Sequence, residues 1–169
     1  MTKRMLSVSI MLLTLAVTAA YAQKVNTDSD PAAPFGSYKT YRWAMGTPSP
    51  NPLGEQRIHD GVMAQLATKG LVQASGTPDL YVSTHLTAHE EKELVSSGFG
   101  YGPWWGGGGY ASTSVHTYVK GTLLVDLYDA KSRKLVWRGT AVGTASDKPS
   151  KNAEKLNKAL NKLFAKYPA

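Results

Sequence analysis

Three stretches of this chain carry a row of apolar or small residues on one side with the two-residue period of a β-strand. In 79–89, DLYVSTHLTAH, Leu80, Val82, Thr84, Leu86 and Ala88 share one face, and Tyr81, Ser83, His85, Thr87 and His89 share the other. Segment 116–130, HTYVKGTLLVDLYDA, aligns Leu123, Val125 and Leu127, and segment 135–145, LVWRGTAVGTA, aligns Leu135, Trp137, Gly139 and Ala141. Such alternation marks strands with one face on a core, so the chain must build a sheet and must also supply something to cover it. The last two segments are separated by DAKSRK, the composition of a hairpin turn. An earlier segment, SYKTYRWAM (37–45), is rich in β-favouring residues and predicts a further strand.

The cover is supplied by two helical patterns. From about Leu53 to Lys69, Ile58, Val62 and Leu66 recur every four residues with polar residues on the other faces, and Gly70 follows where a left-handed C-terminal cap belongs. From Lys151 to Tyr167, Leu156, Leu160, Leu163, Phe164 and Tyr167 form an apolar stripe. Lys151, Lys155, Lys158, Lys162 and Lys166 form a second stripe opposite it, to be read as a solvated face or as an anionic docking surface. Strand, helix, strand, loop, strand, strand, helix predicts an α+β two-layer sandwich: a mainly antiparallel sheet of four or five strands with both helices on one face.

The N-terminus bounds the compartment. Residues 1–22, MTKRMLSVSIMLLTLAVTAAYA, place two cations before an apolar run and small residues before Gln23, the pattern of a cleavable secretory signal peptide. Removal of Lys3 and Arg4 with it leaves 17 cations against 12 anions, a net charge of +5. That predicts a periplasmic protein with no membrane span in its mature chain and no nucleic-acid partner, for which an envelope protein, a glycan or an anionic lipid is the fitting contact. The chain has no cysteine, so it carries neither disulfides nor a lipid-modified N-terminal cysteine. Residues 23–36 are polar with Pro31 and Pro34 and read as an extended lead-in; residues 37–169 then make one domain.

Within that domain, residues 96–115 form a glycine- and aromatic-rich loop, with Phe99, Tyr101, Trp104, Trp105 and Tyr110 among the glycines. These aromatics either fold back as a lid over the open face of the sheet or contact a partner, where rigid rings give area at little entropic cost. Trp43 and Trp137, inside strands, belong to the core, and His59 to a helix surface.

Catalytic patterns are absent. His85 and His89, ahead of Glu90, Glu91 and Glu93, lie four apart on a strand, about 13 Å from one another, too far to share one ion. His116 meets them only if the strands flanking the loop bring it across. The glycine run lacks the lysine of a phosphate-binding loop, there is no Gly-x-Ser-x-Gly elbow, and Asp126 and Asp129 suit turn chemistry. Ser112 or Ser114 near His116 is the one serine–histidine pairing on offer. The expectation is a protein that is not an enzyme and holds no metal or cofactor.

The order of these motifs resembles the bacterial family known as domain of unknown function 4136: SYKTYRWA, a helix ending in LATKGL, PDLYVSTHLTA, a Gly/aromatic loop, and GTLLVDLYDAKSRKLVWRGTA before the last helix. The resemblance implies an envelope protein without established activity, and so supplies no catalytic residues. Many members are lipoproteins; this chain departs from them in having no cysteine at the cleavage site. The resulting function is binding or scaffolding in the envelope through the aromatic loop. A small-ligand carrier with an apolar or sugar pocket between loop and sheet comes second, and a weak hydrolase third.

Overall fold

The structure, a computed structural model, describes residues 24–98 and 111–168. The segment read as a signal peptide, and Phe99, Tyr101, Trp104, Trp105 and Tyr110, lie outside the described residues. Strands β1 (Lys24–Ser29), β2 (Thr40–Trp43), β3 (Val72–Gln73), β4 (Leu80–Gly98), β5 (Ala111–Asp129) and β6 (Leu135–Thr144) make one sheet, with helix α1 (Pro52–Thr68) after β2 and helix α2 (Pro149–Phe164) at the end. The sheet order is β1-β6-β5-β4-β2-β3. The β1/β6, β6/β5 and β5/β4 pairs are antiparallel, whereas β2 runs parallel to both β4 and β3.

Helix α1 starts where Asn51 accepts from the backbone N–H groups of Leu53 (3.0 Å) and Gly54 (3.3 Å), with Pro52 in its first turn. It ends as expected. Gly70 takes φ +77°, its N–H donates to Ala67 O, and the Leu71 N–H donates to Leu66 O, which satisfies two of the last carbonyls. Gly61, unfavourable inside a helix, has a packing reason: a Cβ there would lie 2.6 Å from Leu160 Cδ1 of α2.

The core lies between the helices and the sheet, and includes Ile58, Val62 and Leu66 of α1 and Leu160, Leu163 and Phe164 of α2. Trp137 is fully buried and packs on Phe164 and Tyr167, with ring centroids at 5.2 and 5.8 Å. Its indole lies over Gly139, where a Cβ would meet Trp137 Cη2 at 2.7 Å. Trp43 is half-buried and stacks on His59 at 4.1 Å, so the helix-surface histidine also braces the core edge.

Three expectations change. The sheet has six strands among the described residues, because the lead-in carries β1 and because two residues after α1 pair as β3. The loop 96–115 is shorter than read, since β4 continues to Gly98 and β5 starts at Ala111. Leu135 leaves the face of Trp137: a bulge makes Leu135 oppose Tyr128 while Trp137 opposes Leu127, and the intervening Val136 is buried instead.

Candidate functional site

A concavity opens on the helix side of the sheet, between the N-terminal ends of α1 and α2 and the middle of the β4–β5–β6 ladder. Its volume is about 450 Å³. The floor is a consequence of register. Ala88 pairs with Gly121, and Gly121 with Gly143, so three adjacent strands carry side chains of at most one carbon in a single row. A Cβ built on Gly121 would find nothing closer than Thr87 O at 3.8 Å, so the trough is open above it. Leu86, Leu123, Ile58 and Leu156 supply apolar walls.

The electrostatics of the trough have one sign. Arg57 and Lys155, both half-buried, are its charged lining residues; no carboxylate is among the described residues that line it. Asn51 at the start of α1 and Pro149 at the start of α2 also line it, so the positive ends of two helix dipoles lie at the same cavity. Lys155 donates to Thr144 O at 2.8 Å, which anchors its ammonium at the wall.

The opposite face of the sheet carries a polar cluster. Asp126 is fully buried and takes a two-pronged contact from Arg138, Nε to Oδ1 at 2.7 Å and Nη2 to Oδ2 at 2.6 Å. That contact raises the Arg138 pKa further above its ordinary value. The Tyr128 hydroxyl donates to Asp126 Oδ2 at 3.3 Å, and burial followed by the Asp126 charge raises its pKa. Beside it, Ser83 Oγ lies 3.3 Å from His85 Nε2. The Thr47 backbone N–H is shared between Thr84 O at 3.0 Å and His85 Nδ1 at 3.1 Å, and the Thr47 hydroxyl lies 3.1 Å from the same nitrogen.

Of the residues singled out by sequence, His116 and Ser114 do touch, at 3.4 Å, but both are exposed and neither lines the trough. The strands beside the loop do pair, yet His116 falls opposite Glu93, while Lys120 opposes His89 and Leu124 opposes His85. Among the described residues no group of three or more His, Asp or Glu could hold a metal ion. In the lysine stripe, Lys151, Lys158, Lys162 and Lys166 are exposed, and Lys158 pairs with Glu154 at 2.5 Å. Lys155 differs from the rest in turning to the trough. Arg57, Ala88, Gly121 and Gly143 went unread, because a row of small residues across three strands is visible only once the register is known.

These features define a two-layer α+β domain, helices on one face, with an apolar trough that presents positive charge. The chain belongs to the family described as "Domain of unknown function (DUF4136)", whose model matches residues 25–169. No curated protein matches it. Among solved structures it is similar to a PDZ domain protein from Parabacteroides distasonis, at 17% identity and a TM-score of 0.58 over 86% of this chain. The chain spans 36% of that protein's length. It is also similar to PelC from Paraburkholderia phytofirmans, solved as a dodecamer, at 16% identity and a TM-score of 0.50 over 86% of this chain and 99% of that one. At these identities the likeness concerns the fold. No helix among the described residues is long and apolar enough to cross a membrane.

Proposed function

We propose that this is an exported, non-enzymatic binding domain of the cell envelope whose ligand is an anionic amphiphile with a single hydrocarbon chain. The hydrocarbon lies in the trough over Gly121, and the head group faces Arg57, Lys155 and the two helix N-termini. The observation that carries this reading is the pairing of an apolar floor with a lining whose charged residues are cations alone. Ligand sites are concave, mostly apolar and finished by a few convergent polar groups, and a volume near 450 Å³ is in their usual range. The signal-like residues 1–22 support placement in the envelope. Among the partner classes expected from sequence, this reading takes a lipid-like molecule held under the helices; the expected pocket under the aromatic loop lies outside the described residues.

The test is binding of cis-parinaric acid, a fluorescent anionic fatty acid, to the purified protein. Gly121→Val fills the trough from a strand position that valine favours and should weaken binding at least tenfold. Arg57→Ala and Lys155→Ala should each weaken it several-fold, and less so at high salt. Binding that Gly121→Val leaves unchanged, or no binding by the wild type, would overturn the assignment.

A further inference from the structure

The β4–β5 hairpin outruns the sheet that supports it. Pairing of β5 with β6 stops at Lys120↔Thr144, with one further bond from the Ala145 N–H to Val119 O. On the other side β2 reaches Val82 of β4, and a bridge joins Thr47 to His85. Among the described residues no strand lies along the outer side of Ala88–Gly98 or of Ala111–Tyr118. Eight residue pairs, Glu91↔Tyr118 to Gly98↔Ala111, therefore project as a two-stranded arm, roughly 25 Å long at about 3.4 Å per residue. A two-stranded ribbon with both edges open is marginal in water and invites further pairing.

Its chemistry says what kind of neighbour it fits. On the helix-side face Leu94 opposes Val115, and the two are 69% and 57% exposed. The same face carries Glu90, Lys92, Thr113 and Thr117, so it is no lipid-facing strand pair, which needs apolar residues at every alternate position. The backbone directions follow from bonds nearer the sheet. The Leu86 N–H donates outward to Thr47 O, and Val119 O accepts from Ala145. By the two-residue period, Ala88, Glu90, Lys92, Leu94 and Ser96 on one edge, and Thr113, Val115 and Thr117 on the other, turn their N–H and C=O groups outward.

The two edges differ in charge. The open β4 edge holds Glu90, Glu91 and Glu93 with Lys92; the open β5 edge, Ala111 to Tyr118, holds neither acid nor lysine, Lys120 being already paired with Thr144 of β6. Within one chain this difference is already used: Glu91 accepts from the Tyr118 hydroxyl at 2.8 Å and from Lys120 Nζ at 3.1 Å. A two-fold contact between β4 edges would set glutamate against glutamate, which is destabilising. A β4 edge laid against the β5 edge of another copy is antiparallel and sets the glutamates against an edge without acids.

We infer that the arm is a self-assembly device: the β4 edge of one copy pairs with the β5 edge of the next, head to tail, so that the arms of several copies close into a barrel. Head-to-tail contacts close into rings when the rotation allows, closure removes the open edges, and the right-handed twist of a sheet curls it toward closure.

The absence of cysteine makes the test clean. Sedimentation of the purified full-length exported protein should give one discrete multiple of the chain mass. Thr117→Pro removes an outward N–H and spares the internal ladder; it should reduce the mass to one chain with the circular dichroism and melting temperature kept. Variants Glu90→Cys, Lys92→Cys and Leu94→Cys, each mixed with Thr117→Cys, should give disulfide-linked heterodimers for at least one pair, and little homodimer from any variant alone. A wild type that is monomeric at all concentrations, or cross-links confined to identical variants, would overturn the inference. This outcome is independent of parinarate binding, which the Thr117→Pro monomer should retain.

Discussion

The base of the β4–β5 hairpin and its arm are the same two strands in the same unbroken register, yet they belong to different environments. At the base, Leu80, Val82, Val125 and Leu127 are completely buried; on the arm, Leu94, Val95 and Val115 are exposed. Alternation continues through both, and what changes is the cover, because α1 and α2 lie over the base and the trough while no described element lies over the arm. The comparison teaches that a strand pattern specifies a half-buried ribbon without saying what buries it: the chain's own helices at one end, and in our inference a second copy at the other.

The strongest way to break the comparison is to truncate one apolar side chain at each end. Leu127→Ala at the covered end, where the side chain is fully buried, should cost about 2–5 kcal/mol in a urea titration. Leu94→Ala, made in the monomeric Thr117→Pro background, should change stability by less than about 0.5 kcal/mol. Equal losses would mean that the arm carries a core of its own. A polar version follows at the base. Asp126→Ala removes a buried carboxylate from Arg138 and Tyr128, and should cost about 2 kcal/mol, between the values of exposed and buried pairs, because Arg138 is 42% exposed.

A smaller effect comes from Tyr167. Burial pushes its hydroxyl up to about 12 from 10.0, and the oxygen has no hydrogen-bond partner among the described residues. The stability this shift contributes is full below pH 10 and lost as pH rises through 12. Tyr167→Phe should therefore change neutral stability by less than about 1 kcal/mol and make the alkaline loss less steep. The smallest effect is local to the arm. The Tyr118 hydroxyl, then Lys120 and His89, hold Glu91 down to about 2 from 4.5. Its contribution is present above pH 4.5 and lost as pH falls toward 2. Carboxyl NMR should show that low midpoint, and Tyr118→Phe should raise it while leaving the urea midpoint of the base unchanged.

What was legible in the sequence tracks how local each signal is. Helix α2 repeats its apolar stripe over four turns, Gly70 states its own backbone requirement, and Trp137 sits in an alternating run, so each could be read without its neighbours. Strand β1 could not: KVNTDS has one apolar residue, Val25, and is held by backbone bonds to β6 at the sheet edge. Leu135 was misplaced because a bulge resets the parity of a strand without a mark in composition. The trough is less local still, since Ala88, Gly121 and Gly143 are ordinary small residues until three strands bring them into one row.

The pairing of Lys24 with Val142 has a temporal meaning. More than a hundred residues separate the partners, and loop closure of that span is slow beside the local hairpin β5–β6. β1 precedes every other described element, and during synthesis it must wait for β6, the last strand, before its place exists. The sheet from β2 to β6 can assemble first, and β1 then closes the remaining edge as a latch. In a cell, the newly made protein would spend its exposed interval with the outer edge of β6 open, and that edge is where a chaperone or a protease would find it.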